Sequence, residues 1–476
     1  MSDLEYESHD AVGLAALVAA RDVSPTEVLD AALERVAARN PELNAVVLEM
    51  ESAAREAIDA GLPEGPLRGV PFLLKDLHLL VDGQRTTSGS RLFEDFVADH
   101  DSELVARYRR AGLVLFAKTT SPEFGLTTTT ESTLFGATRN PWNLEYTSGG
   151  SSGGASAAVA AGIIPAANAS DGGGSIRIPA SCTGLFGLKP TRGRTTMGPD
   201  AGEGGSGMSC VHAVTRSVRD SAVLLDATAG PDVGAPYWAP EPTRPFADEV
   251  GTQPGRLRIA VQTATWNDAP VHPDCVAALE DTARLCKELG HEVTDIPFTV
   301  DTALLREATG VIIAANLRHA VVERAAALGR EFTPDDLEPL TYGMAVGAAG
   351  RTAAEYAGAV RSIHAIGRQL GRFLGSCDIL LTPTMASPPQ KLGALSLANP
   401  DLKAMLDALS RTVGFTQLLN ATGHPAMSVP LAWNEAGLPI GIQFVGRYAD
   451  EATLFRLAAQ LEEARPWADK KPPVCG

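Results

Sequence analysis

The spacing of apolar and polar positions divides the chain into short elements of two kinds. Ser24-Pro25-Thr26-Glu27 carries a serine N-cap, a proline at the first helical position and a glutamate at the third, the pattern of a capping box. Val28, Leu29, Ala32, Leu33 and Val36 follow at helical spacing, so the first helix is expected to run from Pro25 and stop near Asn40. Residues 70–80 form a nearly unbroken apolar run, interrupted by Lys75, Asp76 and His78, that suits a buried strand or the end of one. Residues 155–161 are small and Ala-rich and read as a buried helix on which other backbone can pack closely. Residues 139–147 are polar, contain Pro141 and read as loop.

Six prolines fall from Pro231 through Pro254, marking a surface connection rather than an element. Beyond it, residues 256–261 predict a strand, 274–289 a helix ending at Gly290 and 291–296 another strand, a βαβ-like unit. Residues 302–375 are mostly helical by periodicity, 378–381 read as a strand and 452–463 as a closing helix. The fold class is α/β, without internal repeats.

Composition narrows the partners. The 476 residues are 45% hydrophobic and 20% charged, ordinary for a globular enzyme. A net charge of −17 with no cluster of Lys and Arg argues against nucleic acid, and 5% aromatic residues offer no stacking platform. The acidity itself reads as solubility. Met1-Ser2-Asp3-Leu4-Glu5 has no basic or apolar signal region, and the apolar stretches fall far short of a membrane span. The expected location is cytoplasmic, with no membrane partner. Cys182, Cys210, Cys275, Cys286, Cys377 and Cys475 lack C-x-x-C spacing, which suggests neither a disulfide framework nor a zinc site.

Three features carry candidate chemistry. Lys75 sits inside an apolar run, where burial would lower its pKa toward neutrality and make it a general base. Its plainer alternative is a pair with Asp76 or a reach to the surface. Gly149-Gly150-Ser151-Ser152-Gly153-Gly154 fits a linker, a phosphate cradle or a catalytic serine. Its hydrophobic, helical surroundings disfavour a linker, and no G-x-x-x-x-G-K-[ST] pattern occurs. It matches G-x-S-x-G in two registers, but a nucleophile elbow needs a strand before the serine and residues 139–147 read as loop. Asp171-Gly172-Gly173-Gly174-Ser175-Ile176-Arg177 can aim backbone N–H groups into one small pocket, although glycine runs also make turns with no chemistry. Serine and lysine together can replace serine–histidine–aspartate machinery in acyl transfer.

In combination, Gly69-Val70-Pro71 before Lys75-Asp76, Gly149–Gly154 and Asp171–Arg177 resemble the amidase signature family. Phe135-Gly136-Ala137-Thr138-Arg139-Asn140-Pro141-Trp142, Gly184-Leu185-Phe186-Gly187-Leu188-Lys189-Pro190-Thr191, Ala421-Thr422-Gly423-His424-Pro425-Ala426 and Gly437-Leu438-Pro439-Ile440-Gly441-Ile442-Gln443 match as well. The likeness covers nearly the whole chain and is weakest over about 230–375. It implies one domain, 1–476, with a large mixed β-sheet flanked by helices on both faces and a mostly helical side region. The catalytic motifs would lie within 60–225, the Pro-rich connection at 231–255 and a variable, pocket-shaping region at 256–375.

Carried over by residue, the resemblance makes Ser175 the nucleophile, Ser151 a bridging serine behind a cis peptide bond and Lys75 the terminal base. The N–H groups of Gly172, Gly173, Gly174 and Ser175 would form the oxyanion hole, with Ser152 and Arg177 supporting the loop. No metal or organic cofactor is implied. The activity implied is hydrolysis of the C–N bond of small to medium aryl or alkyl amides, with esters or carbamates of similar shape also accepted. Gly172 stands where many members carry threonine, a spelling that resembles the branch of cyclic nylon-oligomer hydrolases and aryl acylamidases. The competing functions are the glutamine-hydrolysing subunit of a tRNA-dependent amidotransferase and a silent scaffold, against which the intact Lys75, Ser151 and Ser175 argue. His78 and His424 read as structural, Asn316 and Phe415 as candidate lining residues beside the loop Ser121-Pro122-Glu123-Phe124-Gly125. The family resemblance makes a homodimer reasonable.

Overall fold

A computed structural model describes residues 3–475, with Met1, Ser2 and Gly476 outside the described part. An eleven-stranded mixed sheet forms its centre. The strands are β1 (Val46–Glu49), β2 (Pro71–Lys75), β3 (Val114–Thr119), β4 (Ala166–Asp171), β5 (Phe186–Lys189), β6 (Cys210–Thr215), β7 (Arg258–Val261), β8 (Glu292–Asp295), β9 (Ile379–Pro383), β10 (Ala426–Trp433) and β11 (Pro439–Val445). Their order is β1-β3-β2-β4-β6-β5-β10-β11-β9-β7-β8. β3, β2 and β4 run parallel, as do β9, β7 and β8, while the strands between are antiparallel. Most of these strands are apolar at successive positions because both faces are covered. One apolar cluster packs β2, β3 and β4 against the N-terminal helices, and others pack β5 and β7 to β11 against later ones.

The helix at Pro25–Leu43 has the expected capping box, with Ser24 and Glu27 satisfying each other's backbone N–H groups. It runs past Asn40 and takes Pro41 into its last turn. Nor is it first: Asp3–Ser8 and Ala11–Ala20 precede it. Ala11–Ala20 is apolar almost all round and shows no helical stripe, so periodicity could not mark it.

The 70–80 run is a strand only to Lys75, and the Ala-rich helix occupies Gly153–Ala160. The βαβ unit is present as β7, the Pro273–Glu288 helix and the parallel β8. Helices at Thr302–Ala327, Pro339–Gly347 and Ala353–Phe373 make the helical side region. Two readings need correction. Residues 139–147 are a hairpin, Arg139–Asn140 paired with Asn143–Thr147 outside the main sheet, in which Pro141 and Trp142 make the turn. The Pro-rich connection contains a 3-10 turn, Phe246–Glu249, anchored by the buried Phe246 and by Glu249 on Arg244 and Arg456. Cys182, Cys210, Cys275, Cys286 and Cys377 are free buried thiols, and the side chain of Cys475 lies outside the described residues.

Candidate active site

Lys75 is the last residue of β2, beside the parallel strand β4, so the C-terminal ends of both strands open on one place. Its backbone N–H donates to Asn168 Oδ1 of β4 at 3.2 Å. Its Nζ lies 2.7 Å from Ser151 Oγ and 3.0 Å from Ser170 Oγ. The side chain is fully buried, and burial lowers its pKa to about 7 against the opposing pull of Asp171. Neither plain alternative holds. Asp76 instead accepts from the Thr87 N–H and hydroxyl and faces Lys118, whose own pKa burial lowers to about 8.

The peptide bond between Gly150 and Ser151 is cis. Close approach of other backbone explains the glycines here. A Cβ on Gly150 would stand 2.4 Å from Thr129 O, and one on Gly125 3.0 Å from Ser151 Oγ. Thr130 Oγ1 donates to Gly149 O and accepts from the Gly153 N–H, each at 3.0 Å, and so brackets the serine pair. Ser152 Oγ donates to Ser170 O at 3.2 Å and accepts from the Ser170 N–H at 3.3 Å, pinning the loop to β4. Ser151 and Lys75 are thereby brought together.

Ser175 lies between β4 and the Arg177–Thr183 helix and is 8% exposed. Its loop is tied by Asp171, which accepts from the N–H groups of Gly174 (2.7 Å) and Ile176 (3.1 Å). Arg177 meets both oxygens of that carboxylate at 2.9 Å. Burial pushes the Asp171 carboxyl up, but the Arg177 charge and hydrogen bonds outweigh it and hold it well below the usual carboxylate range. Arg177 also donates to Thr416 O, Gln443 Oε1 and Asn420 Oδ1, and is wholly buried. The expectation for the glycine run needs one correction. The Gly174 N–H is taken by Asp171, whereas a Cβ on Gly173 would meet nothing within 4 Å and so faces open space.

The remaining candidates divide. His78 is exposed, at φ +66°, and its electrostatic interaction with Lys75 places it beside the site. His424 is buried edge-on to Tyr448, a structural position. Asn316 is half-buried and donates to Ile312 O and Tyr356 Oη, while Tyr356 Oη meets Ser206 Oγ at 2.5 Å. Phe415 is fully buried against Trp266 and lines no open pocket; its aromatic size suited the core. The sequence alone marks none of Ser170, Asn168, Thr416 and Asn420 as a site residue. Ser170 adjoins a quoted motif, but its contact with Lys75 depends on strand pairing that no spacing reveals. Among the described residues no cluster of His, Cys, Asp and Glu could hold a metal, and no helix is long and apolar enough to cross a membrane.

Residues 27–455 match the family model described as Amidase. The chain is 39% identical over 477 residues to 6-aminohexanoate-cyclic-dimer hydrolase of Pseudomonas sp. (strain NK87), covering 97% of this chain and 96% of that protein. A solved 6-aminohexanoate cyclic dimer hydrolase superposes with TM-score 0.93 at 37% identity, over 98% of this chain and 99% of the other. A bacterial aryl acylamidase superposes with TM-score 0.88 at 28% identity, over 98% of each chain. This chain belongs to the amidase signature family, and is a hydrolase of amide C–N bonds.

Proposed function

We propose that the chain cleaves small to medium amides, cyclic and linear, through an acyl-enzyme on Ser175, with Ser151 as proton bridge and Lys75 as terminal base. The observation that carries this reading is the 2.7 Å contact between Ser151 Oγ and a lysine whose pKa lies near 7. A neutral amine at that distance can take the Ser151 proton as Ser151 takes that of Ser175. Ser175 Oγ attacks the carbonyl carbon, and the oxyanion is met by the N–H groups of Gly172, Gly173 and Ser175. The C–N bond breaks as Ser151 returns a proton to the departing nitrogen. Water then attacks the ester, gives its proton to the same relay and frees the carboxylic acid. Ser152 and Arg177 hold the two loops and do not react.

The relative that acts on a cyclic dimer of 6-aminohexanoate favours secondary amides flanked by short alkyl chains as the first substrates to screen. A fluorophosphonate provides a test free of any substrate. Adduct at Ser175, lost in Lys75→Ala, is the expected result. Adduct at Ser151 or Ser152, or label that persists in Lys75→Ala, would overturn the assignment.

A further inference from the structure

Residues 123–133 form a strap around the serine loop. Gly125 lies against Ser151 Oγ, the Thr129 backbone crosses Gly150, and Thr130 brackets Gly149 and Gly153. Both ends of this strap meet one residue of the helical side region. Glu338, the N-cap of the Pro339–Gly347 helix, donates its backbone N–H to Glu123 Oε2 at 2.9 Å. Its own Oε1 accepts from the Thr133 N–H at 2.8 Å. Ser90 Oγ holds the other Glu123 oxygen at 2.7 Å. Near its far end, Glu131 accepts from Thr129 Oγ1 at 2.6 Å and from the Gly393 N–H at 2.8 Å.

Glu123 and Glu338 are 1% and 3% exposed, and Glu338 Oε2 is buried without a hydrogen-bond partner. An ionised carboxylate there would have one oxygen unsolvated beside a second buried carboxyl, and a neutral O–H is far cheaper to bury. We propose that Glu338 is a positioning residue of the catalytic site, which fastens both ends of the 123–133 strap with its carboxyl protonated. The charged groups that face it are Glu123 and Glu131, while Arg91 acts on Glu123. Burial and these two like charges, opposed by the Thr133 N–H and hydroxyl, raise its pKa to about 7. The sign is that of a raised acid. The clamp is strongest below the ordinary carboxylate range, weakens as pH rises from there to about 7, and changes no further above it. Activation of Ser151 by neutral Lys75 and weakening of the clamp therefore oppose each other as pH rises toward about 7.

The inference rests on the serine–lysine reading, so the test needs two readouts. The first is the rate of fluorophosphonate labelling at Ser175 from about pH 5 to about pH 9, for wild type, E338Q and E338A. The second is hydrogen exchange in peptides spanning 123–133, corrected for intrinsic rates. The wild-type rate should rise with Lys75 to a plateau that the weakened clamp holds several-fold down. E338Q keeps the acceptor for Thr133 and cannot ionise, and should rise more steeply to a plateau several-fold higher. E338A should label about tenfold slower throughout, with faster exchange confined to the strap. Superimposable wild-type and E338Q profiles, or wild-type labelling and exchange in E338A, would overturn the clamp. If E338A does not fold, the E338Q profile decides alone. A wild-type chain that takes no label sinks the serine–lysine reading, while strap exchange across the same pH range in wild type and E338Q still decides the clamp.

Discussion

Lys75 meets two conflicting demands: fold stability favours a neutral, apolar side chain, and the proposed relay requires an amine. Burial holds its folded pKa near 7, below its unfolded value. The folded state therefore resists its proton, a penalty complete below about pH 7 that fades as pH rises into the ordinary lysine range. Lys75→Met should raise stability by about 1–2 kcal/mol at neutral pH while abolishing labelling of Ser175. Urea unfolding on both sides of that window checks it, because the gain should shrink at alkaline pH. The same titration predicts that wild-type turnover climbs through about pH 7 and that conditions well below it silence the enzyme without unfolding it. An acid-stable rate plateau would contradict Lys75 as the base. At this scale the sequence was legible because a lysine amid Phe72, Leu73, Leu74, Leu77 and Leu79 is physically anomalous. Ser170 was not, since a serine in a strand announces nothing until its neighbour is known.

At the scale of elements, the turn from β4 into the Arg177–Thr183 helix rests on one buried ion pair. Arg177 and Asp171 have no exposed side-chain surface, and Asn420, Gln443 and Thr416 complete their hydrogen bonds. Removing the guanidinium leaves a buried carboxylate without its cation, so Arg177→Met should cost roughly 3–5 kcal/mol in chemical denaturation. Adding Asp171→Asn should recover part of that loss but not the labelling rate, since the loop presenting Ser175 loses its tether. Gly174 is equally constrained. It sits at φ +138°, and a Cβ would stand 2.5 Å from Thr416 Oγ1 and Ile178 Cδ1, so Gly174→Ala should fail to give active protein. The sequence motif shows that glycine is required here but not why: Thr416 arrives from the far half of the chain. The hairpin at 139–147 was missed for a related reason, because its strands bury little and alternate weakly. The helix at Ala11–Ala20 was missed because uniform apolarity erases the 3.6-residue signal.

The molecule as a whole carries two populations of carboxyl groups that pull its pH dependence in opposite senses. Glu249 and Asp336 are held near 2, the first by hydrogen bonds from Arg244 and the second by Arg330, and their contribution is lost progressively as pH falls from the ordinary carboxylate range to about 2. Asp220 and Glu462 are raised to about 7, by burial first and then by Asp10. Asp220 accepts the Ala11 and Val12 N–H groups that open the Ala11–Ala20 helix, and Glu462 accepts that of Val218. For these raised acids the folded state binds the extra proton, so stability falls as pH rises from the ordinary carboxylate range to about 7 and is flat beyond. The raised carboxyl groups therefore favour the acid side of neutrality, whereas the buried Lys75 and Lys118 regain stability only as pH rises above about 7 and 8. Glu462→Gln keeps an oxygen for Val218 and removes one of the acids. It should gain about 1 kcal/mol above pH 7, where the penalty is complete, and nothing near pH 5. Thermal melts at the two pH values decide it. An equal gain at both would mean that packing, and not ionisation, limits the seam between the N-terminal helices and the Glu451–Ala464 helix.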